Sequence, residues 1–199
     1  MLKELSTLLI TLGATILPIT QAQALQLVNL TQWNITAGGN GHFYGLTDVG
    51  SSWTEAELFA NSLGGHLVSI DNAIENEFLR TEFLTGLGNS EDFWIGLYSP
   101  VGDFTDPGTW SWVSGSTSTY RNWRPAQPDF GFGDDRYAAI NFIGNGSGQW
   151  DNYPDSAFRT PRAIVEFSQS PTSVPEPLSI VGITSVLGFS LFLKRHSQN

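Results

Sequence analysis

The chain has 199 residues, no cysteine and a formal net charge of −10. The missing cysteines exclude thiol catalysis, cysteine-ligated zinc and disulfides. Between residues 25 and 174 six basic residues, all arginine, face 17 acidic ones, a balance that argues against nucleic acid as a partner.

Residues 1–24 are expected to be a signal peptide for export. Lys3 lies near the start, an apolar stretch runs from Leu8 to Ile19, and Ala22-Gln23-Ala24 is a small-x-small cleavage pattern. A buried N-terminal helix is the alternative. Residues 25–172 then have the length of one domain. His42 to Leu46 reads as a short strand. Ser52-Trp53-Thr54-Glu55 has capping-box spacing and should open a helix. Ala56, Phe59, Ala60 and Leu63 form its apolar face, and Gly64-Gly65 ends it. His66 to Ile70 alternates like a strand. Asn72-Ala73-Ile74-Glu75 is a second capping box, followed by a helix face of Ile74, Phe78, Leu79 and Phe83 closed by Gly86.

The second half is richer in short apolar runs, glycine and turns. Phe93 to Leu97 has the composition of a buried strand. Thr109 to Val113 alternates between Pro107-Gly108 and Ser114-Gly115. Tyr137 to Phe142 and Arg162 to Phe167 are the remaining predicted strands. Long loops separate them, and the span 130–149 carries five glycines. Long irregular segments in a compact domain are usually functional or disordered. At the C-terminus Val174-Pro175-Glu176-Pro177 precedes an apolar run from Leu178 to Leu193 and then Lys194-Arg195-His196. As a helix that run spans ~24 Å, slightly short of a bilayer core of ~30 Å, with its basic end expected in the cytoplasm.

Two triplets concentrate side-chain oxygens: Gln127-Pro128-Asp129 and Trp150-Asp151-Asn152. Amide and carboxylate oxygens without cysteine or histidine suit a hard cation, calcium first. Gln127 and Asp129 flank a proline, so an extended or cis-proline turn lets both point to one side. An ordinary turn is the competing explanation. Trp150 and the Trp94 run are assigned to the core, and His42 and His66 to structural roles.

The stretch Trp53 to Phe167 resembles the C-type lectin-like domain. Gly64-Gly65-His66-Leu67-Val68-Ser69-Ile70, Glu75-Asn76-Glu77-Phe78-Leu79, Trp94-Ile95-Gly96-Leu97, Trp110-Ser111-Trp112, Asn122-Trp123, Gln127-Pro128-Asp129 and Trp150-Asp151-Asn152 occur in that family's order. The resemblance implies an α+β fold of two helices with antiparallel sheets and a long loop region that carries the ligand site. It implies a cis Pro128 and a calcium ion held by Gln127, Asp129, Asp135, Asp151 and Asn152. Asp134 is a one-gap alternative to Asp135. It also implies glycans as ligands, galactose-type for Gln-Pro-Asp, with Phe130 or Phe132 stacking on the sugar ring.

Two departures from the family stand out. No disulfide braces the loops, leaving the tryptophans and the calcium to hold them. The usual Trp-Asn-Asp order is here Trp150-Asp151-Asn152, which moves a negative charge by one position. The tail 173–199 resembles the PEP-CTERM sorting signal of exported bacterial proteins. That resemblance implies an exosortase-type machinery, a membrane helix at 178–193 before processing, and display at the cell surface or release; a plain membrane anchor is the alternative. The expected function is a calcium-dependent carbohydrate-binding protein, not an enzyme, with exopolysaccharide among the candidate glycans. A surface adhesion or matrix protein with the same fold and no sugar or calcium site competes. A glycosidase using Asp134 and a second carboxylate has no nucleophile–base pattern behind it.

Overall fold

Two capping residues start the two helices in the computed structural model, which describes residues 24–85, 91–102, 105–131, 133–141, 147–155 and 161–171. The predicted signal peptide, the Pro-Glu-Pro tail with its apolar run, Gly86, Phe132 and Phe142 lie outside the described residues. Helix α1 spans Trp53–Ser62. The Ser52 hydroxyl accepts the Glu55 N–H at 3.2 Å, and the Glu55 carboxylate accepts the Ser52 N–H at 3.1 Å, so the predicted capping box is complete. Gly64, at φ 80°, ends the helix, and the Gly65 N–H donates back to the Ala60 carbonyl.

Helix α2 spans Ala73–Leu79 and runs on as a π-helical turn over Arg80–Leu84. The Asn72 side chain accepts the N–H groups of Ile74 and Glu75. The reciprocal bond of the predicted box is absent: Glu75 takes the Asp71 N–H at 2.8 Å instead. The predicted apolar face also needs correction. Ile74 is 69% exposed, whereas Glu75 and Asn76 are buried. Tyr44 and Trp150 explain this, because their polar atoms meet Glu75 and Asn76 at 2.7 and 2.9 Å.

Among the described residues eight strands follow in chain order: β1 (Leu27–Gln32), β2 (Phe43–Thr47), β3 (His66–Leu67), β4 (Phe93–Tyr98), β5 (Ser111–Trp112), β6 (Tyr137–Ile140), β7 (Trp150–Tyr153) and β8 (Arg162–Phe167). They pair in the order β1-β2-β8-β4-β6-β7, with β3 on β8 and β5 on β4. The α+β class is as expected. The sheet is mixed, not wholly antiparallel, because β4 and β8 run parallel with Phe93 opposite Arg162 and Trp94 opposite Ala163. Strands β1 and β7 were not predicted. The strand expected over 66–70 stops at Leu67, and that expected over 109–113 begins as a 3-10 turn at Pro107–Thr109.

The central strands are buried on both faces, which is why they read as unbroken apolar runs. Ile95, Leu97 and Ile164 point into a core with Leu46, Leu79, Phe83, Trp110, Trp112 and Trp150. Trp94, Ala163 and Val165 point the other way, onto Trp53, Ala56 and Ala60 of α1. Gly96 permits the crossing of β4 past β3: a Cβ there would lie 2.5 Å from the Leu67 carbonyl oxygen. The buried indoles do not waste their N–H groups. Trp53 donates to the Ile95 carbonyl at 2.8 Å and Trp94 to the Ser51 carbonyl at 2.9 Å.

Candidate functional site

The long loop is held to β7 by aromatic rings and backbone bonds. Trp150 is wholly buried, and its ring meets those of Trp112, Tyr120 and Trp123 edge-on with centroids 5.7, 5.7 and 5.8 Å away. The Trp150 N–H donates to the Asn122 carbonyl, and the Arg124 N–H to the Trp150 carbonyl. The aromatic cluster thus does part of the work that a disulfide would do. From Arg124 the chain turns: the Gln127 N–H donates to the Arg124 carbonyl, and the Gln127–Pro128 bond is cis. The expected cis proline is therefore present.

Trp150-Asp151-Asn152 lies on strand β7, not on a loop, with Asp151 opposite Ala139 and Asn152 opposite Ala138. Three of the five predicted ligands are deeply buried: Asp135, just before β6, is 0% exposed, and Asp151 and Asn152 on β7 are 2% and 1% exposed. The Asn152 amide ties the loop to the strand. Its oxygen accepts the Asp129 N–H at 3.0 Å, and its nitrogen donates to the Asp129 and Asp135 carbonyls at 2.8 and 2.9 Å. Asp134 turns outward and pairs with Arg136. Asp135 is the inward-facing member of the two. Phe130 is 67% exposed beside Asp129.

Asp151 has taken a partner that the sequence reading missed. Its Oδ2 accepts Arg124 Nε at 2.7 Å, and its Oδ1 accepts the Asn152 N–H at 2.8 Å. Burial pushes the Asp151 carboxyl up from the usual aspartate range, and those two hydrogen bonds pull it down. The available signal was a basic residue three positions before Gln127 in a chain with few cations.

The donor chemistry fits calcium. The two segments carry oxygen-bearing side chains, the Asn152 amide meets the backbone of Asp129 and Asp135, and the Gln127 Oε1 atom is buried without a hydrogen-bond partner. Among the described residues no three Asp, Glu or His side chains converge as a metal cluster. A calcium ion here would therefore also need the amide oxygens of Gln127 and Asn152, and would compete with Arg124 for Asp151.

A second polar cluster lies on the β2–β8 side. Tyr44 donates to Glu75 Oε1 at 2.7 Å and lies 3.4 Å from Glu166 Oε1. His42 Nδ1 and His66 Nδ1 each lie 2.7 Å from a carboxylate, those of Glu166 and Glu57. These pairings accord with structural roles for both histidines.

A family model, the lectin C-type domain, matches residues 49–159. The chain belongs to the C-type lectin domain family. It is 39% identical over 117 residues to the C-type lectin domain family 4 member F of Rattus norvegicus, covering 55% of this chain and 18% of that protein. It is 36% identical over 86 residues to the regenerating islet-derived protein 4 of Rattus norvegicus, covering 42% of this chain and 52% of that protein. The match thus spans at most about half the length of these relatives. Human lithostathine superposes with a TM-score of 0.56 at 21% identity over 64% of this chain and 92% of its own, a likeness of fold alone.

No helix among the described residues is long and apolar enough to cross a membrane. The run 178–193 lies outside them.

Proposed function

We propose that this chain is an exported carbohydrate-binding protein that grips a sugar at the loop 127–135 with the help of calcium. The observation that carries the reading is the buried, unpartnered Gln127 Oε1 on a loop whose backbone at Asp129 and Asp135 is held by the Asn152 amide of β7. Gln127, Asp129, Asp135, Asp151 and Asn152 would hold the ion, which would bind two neighbouring hydroxyls of the sugar in place of water. The chain's own groups then complete the recognition. The Gln127 amide offers N–H donors, and the Asp129 carboxylate accepts from a hydroxyl. Phe130 offers its face to the apolar side of the ring. Gln-Pro-Asp supports a galactose-type preference by its likeness to the family pattern.

Export and surface display are supported by the sequence features of 1–24 and 173–199, with an exosortase-type machinery as partner for the tail. A single such site is weak, about 1 mM or −4 kcal/mol. Display in many copies on a surface, for example against exopolysaccharide, would raise the avidity.

The test is a glycan array of the full chain in calcium and in EGTA. Calcium-dependent signals for galactose or N-acetylgalactosamine ligands are expected, lost in Asp129→Ala and reduced in Phe130→Ala while the thermal midpoint stays within about 2 °C. Equal signals in calcium and EGTA would refute the metal's role. No signal on any glycan would leave the competing adhesion or matrix role.

A further inference from the structure

The hydrogen bonds of β7 supply a physical reason for its Asp-Asn order. An aspartate at 152 has acceptors only. It would keep the Asp129 N–H at 3.0 Å but lose both donations, to the Asp129 carbonyl at 2.8 Å and to the Asp135 carbonyl at 2.9 Å. An asparagine at 151 would set a neutral amide against the Arg124 guanidinium, which now meets Oδ2 at 2.7 Å. Carboxylate first and amide second is the order that satisfies every one of these groups. The ends of the braced segment are tied as well, since the Arg124 N–H donates to the Trp150 carbonyl and the Arg124 carbonyl accepts the Gln127 N–H. All of these bonds run between groups of the chain itself.

The charges are consistent with this arrangement. Asp151 is 2% exposed, and a carboxylate that deep is costly unless paired and hydrogen-bonded. Arg124 supplies the pairing through its guanidinium, whose Nε lies 2.7 Å from the Asp151 Oδ2. An ion of two charges would otherwise have to do this from between the loop and the strand.

We infer that Arg124 and Asn152 form a built-in brace. The Arg124 guanidinium serves as the resident counter-cation of Asp151, and the Asn152 amide clamps the backbone of Asp129 and Asp135. Residues 124–131 and 133–135 therefore keep their shape without calcium, and the ion must draw Asp151 away from Arg124 to bind. Arg124 is a positioning residue in this scheme. The inference rests on reading 124–135 as the ligand loop, not on any sugar being bound.

The test is amide hydrogen exchange of the full chain in EGTA and in calcium. In the wild type, 124–131 and 133–135 should be equally protected in both. In the exchanged double variant Asp151→Asn/Asn152→Asp, protection of this segment should fall about tenfold or more in EGTA, the scale of one charge-assisted hydrogen bond. Calcium should restore it, while β4 and β8 stay unchanged. Arg124→Gln, which leaves the Asn152 clamp in place, should loosen the same segment in EGTA and guards against a double variant that does not fold. A wild-type loop that loses its protection in EGTA overturns the inference, as does an Arg124→Gln loop that keeps it. A loop braced in EGTA in a chain that binds neither calcium nor glycan upholds the brace and sinks the calcium reading.

Discussion

Glu75 is 1% exposed and accepts hydrogen bonds from the Tyr44 hydroxyl at 2.7 Å and the Asp71 N–H at 2.8 Å. Burial pushes its carboxyl up to about 7, and the neighbouring Glu166 and Asp71 charges add to the rise. A folded-state value above the unfolded one means that the native protein holds this proton longer than the unfolded chain does. The contribution to stability is full below about pH 4.5 and is lost as pH rises through about 7. Thermal midpoints measured from pH 4.5 to 8 should therefore fall over that window, by at most about 3 kcal/mol in free energy. In Glu75→Gln this component should vanish. A wild-type profile with the same slope as the variant would refute the assignment. At the calcium-candidate site the corresponding detail is Arg124. Its presence in the loop is plain in the sequence, but its pairing with Asp151 crosses 27 residues and is invisible to local spacing.

Strand β7 shows the same limit one level up. Trp150, Asp151, Asn152 and Tyr153 are all buried, so there is no exposed face and no polar–apolar alternation to read. Its two polar residues are carried inside by partners on the 122–135 loop. The helix starts were legible because a capping box is made within four residues, as Ser52 and Glu55 demonstrate. The face of α2 was misread because the partners of its buried polar residues are distant: Trp150 lies 74 residues from Asn76 and Tyr44 lies 31 from Glu75. Trp150→Ala removes a 0%-exposed indole together with its hydrogen bond to Asn76 and should cost about 3–5 kcal/mol. The denaturant midpoint should fall at unchanged slope. A loss below about 1 kcal/mol would mean that β7 is not the keystone of this half of the core.

Across the whole molecule, β4 and β8 lie at the centre of the strand path and send side chains to both cores. Native-state hydrogen exchange should be slowest in these two strands and faster in the outer β1 and β7, because opening the centre requires both cores to open. Equal protection across the sheet would contradict that order. The apolar run Phe93 to Leu97 announced a buried strand by composition and Arg162 to Phe167 read as the last strand, but their parallel pairing did not show, since strand direction depends on the path of the chain between them.

Residue order alone was enough to specify what is made by near neighbours: the helix starts, the buried central runs, the motif succession that marks a C-type lectin domain, and the cis-proline turn expected from it. Folding was needed to choose Asp135 over Asp134 as the inward carboxylate, to turn Asp151-Asn152 into a buried strand, and to join Arg124 to Asp151. These outcomes depend on hydrogen bonds and charges that meet across 17 to 27 residues, and only the packed chain brings such groups within 3 Å of one another.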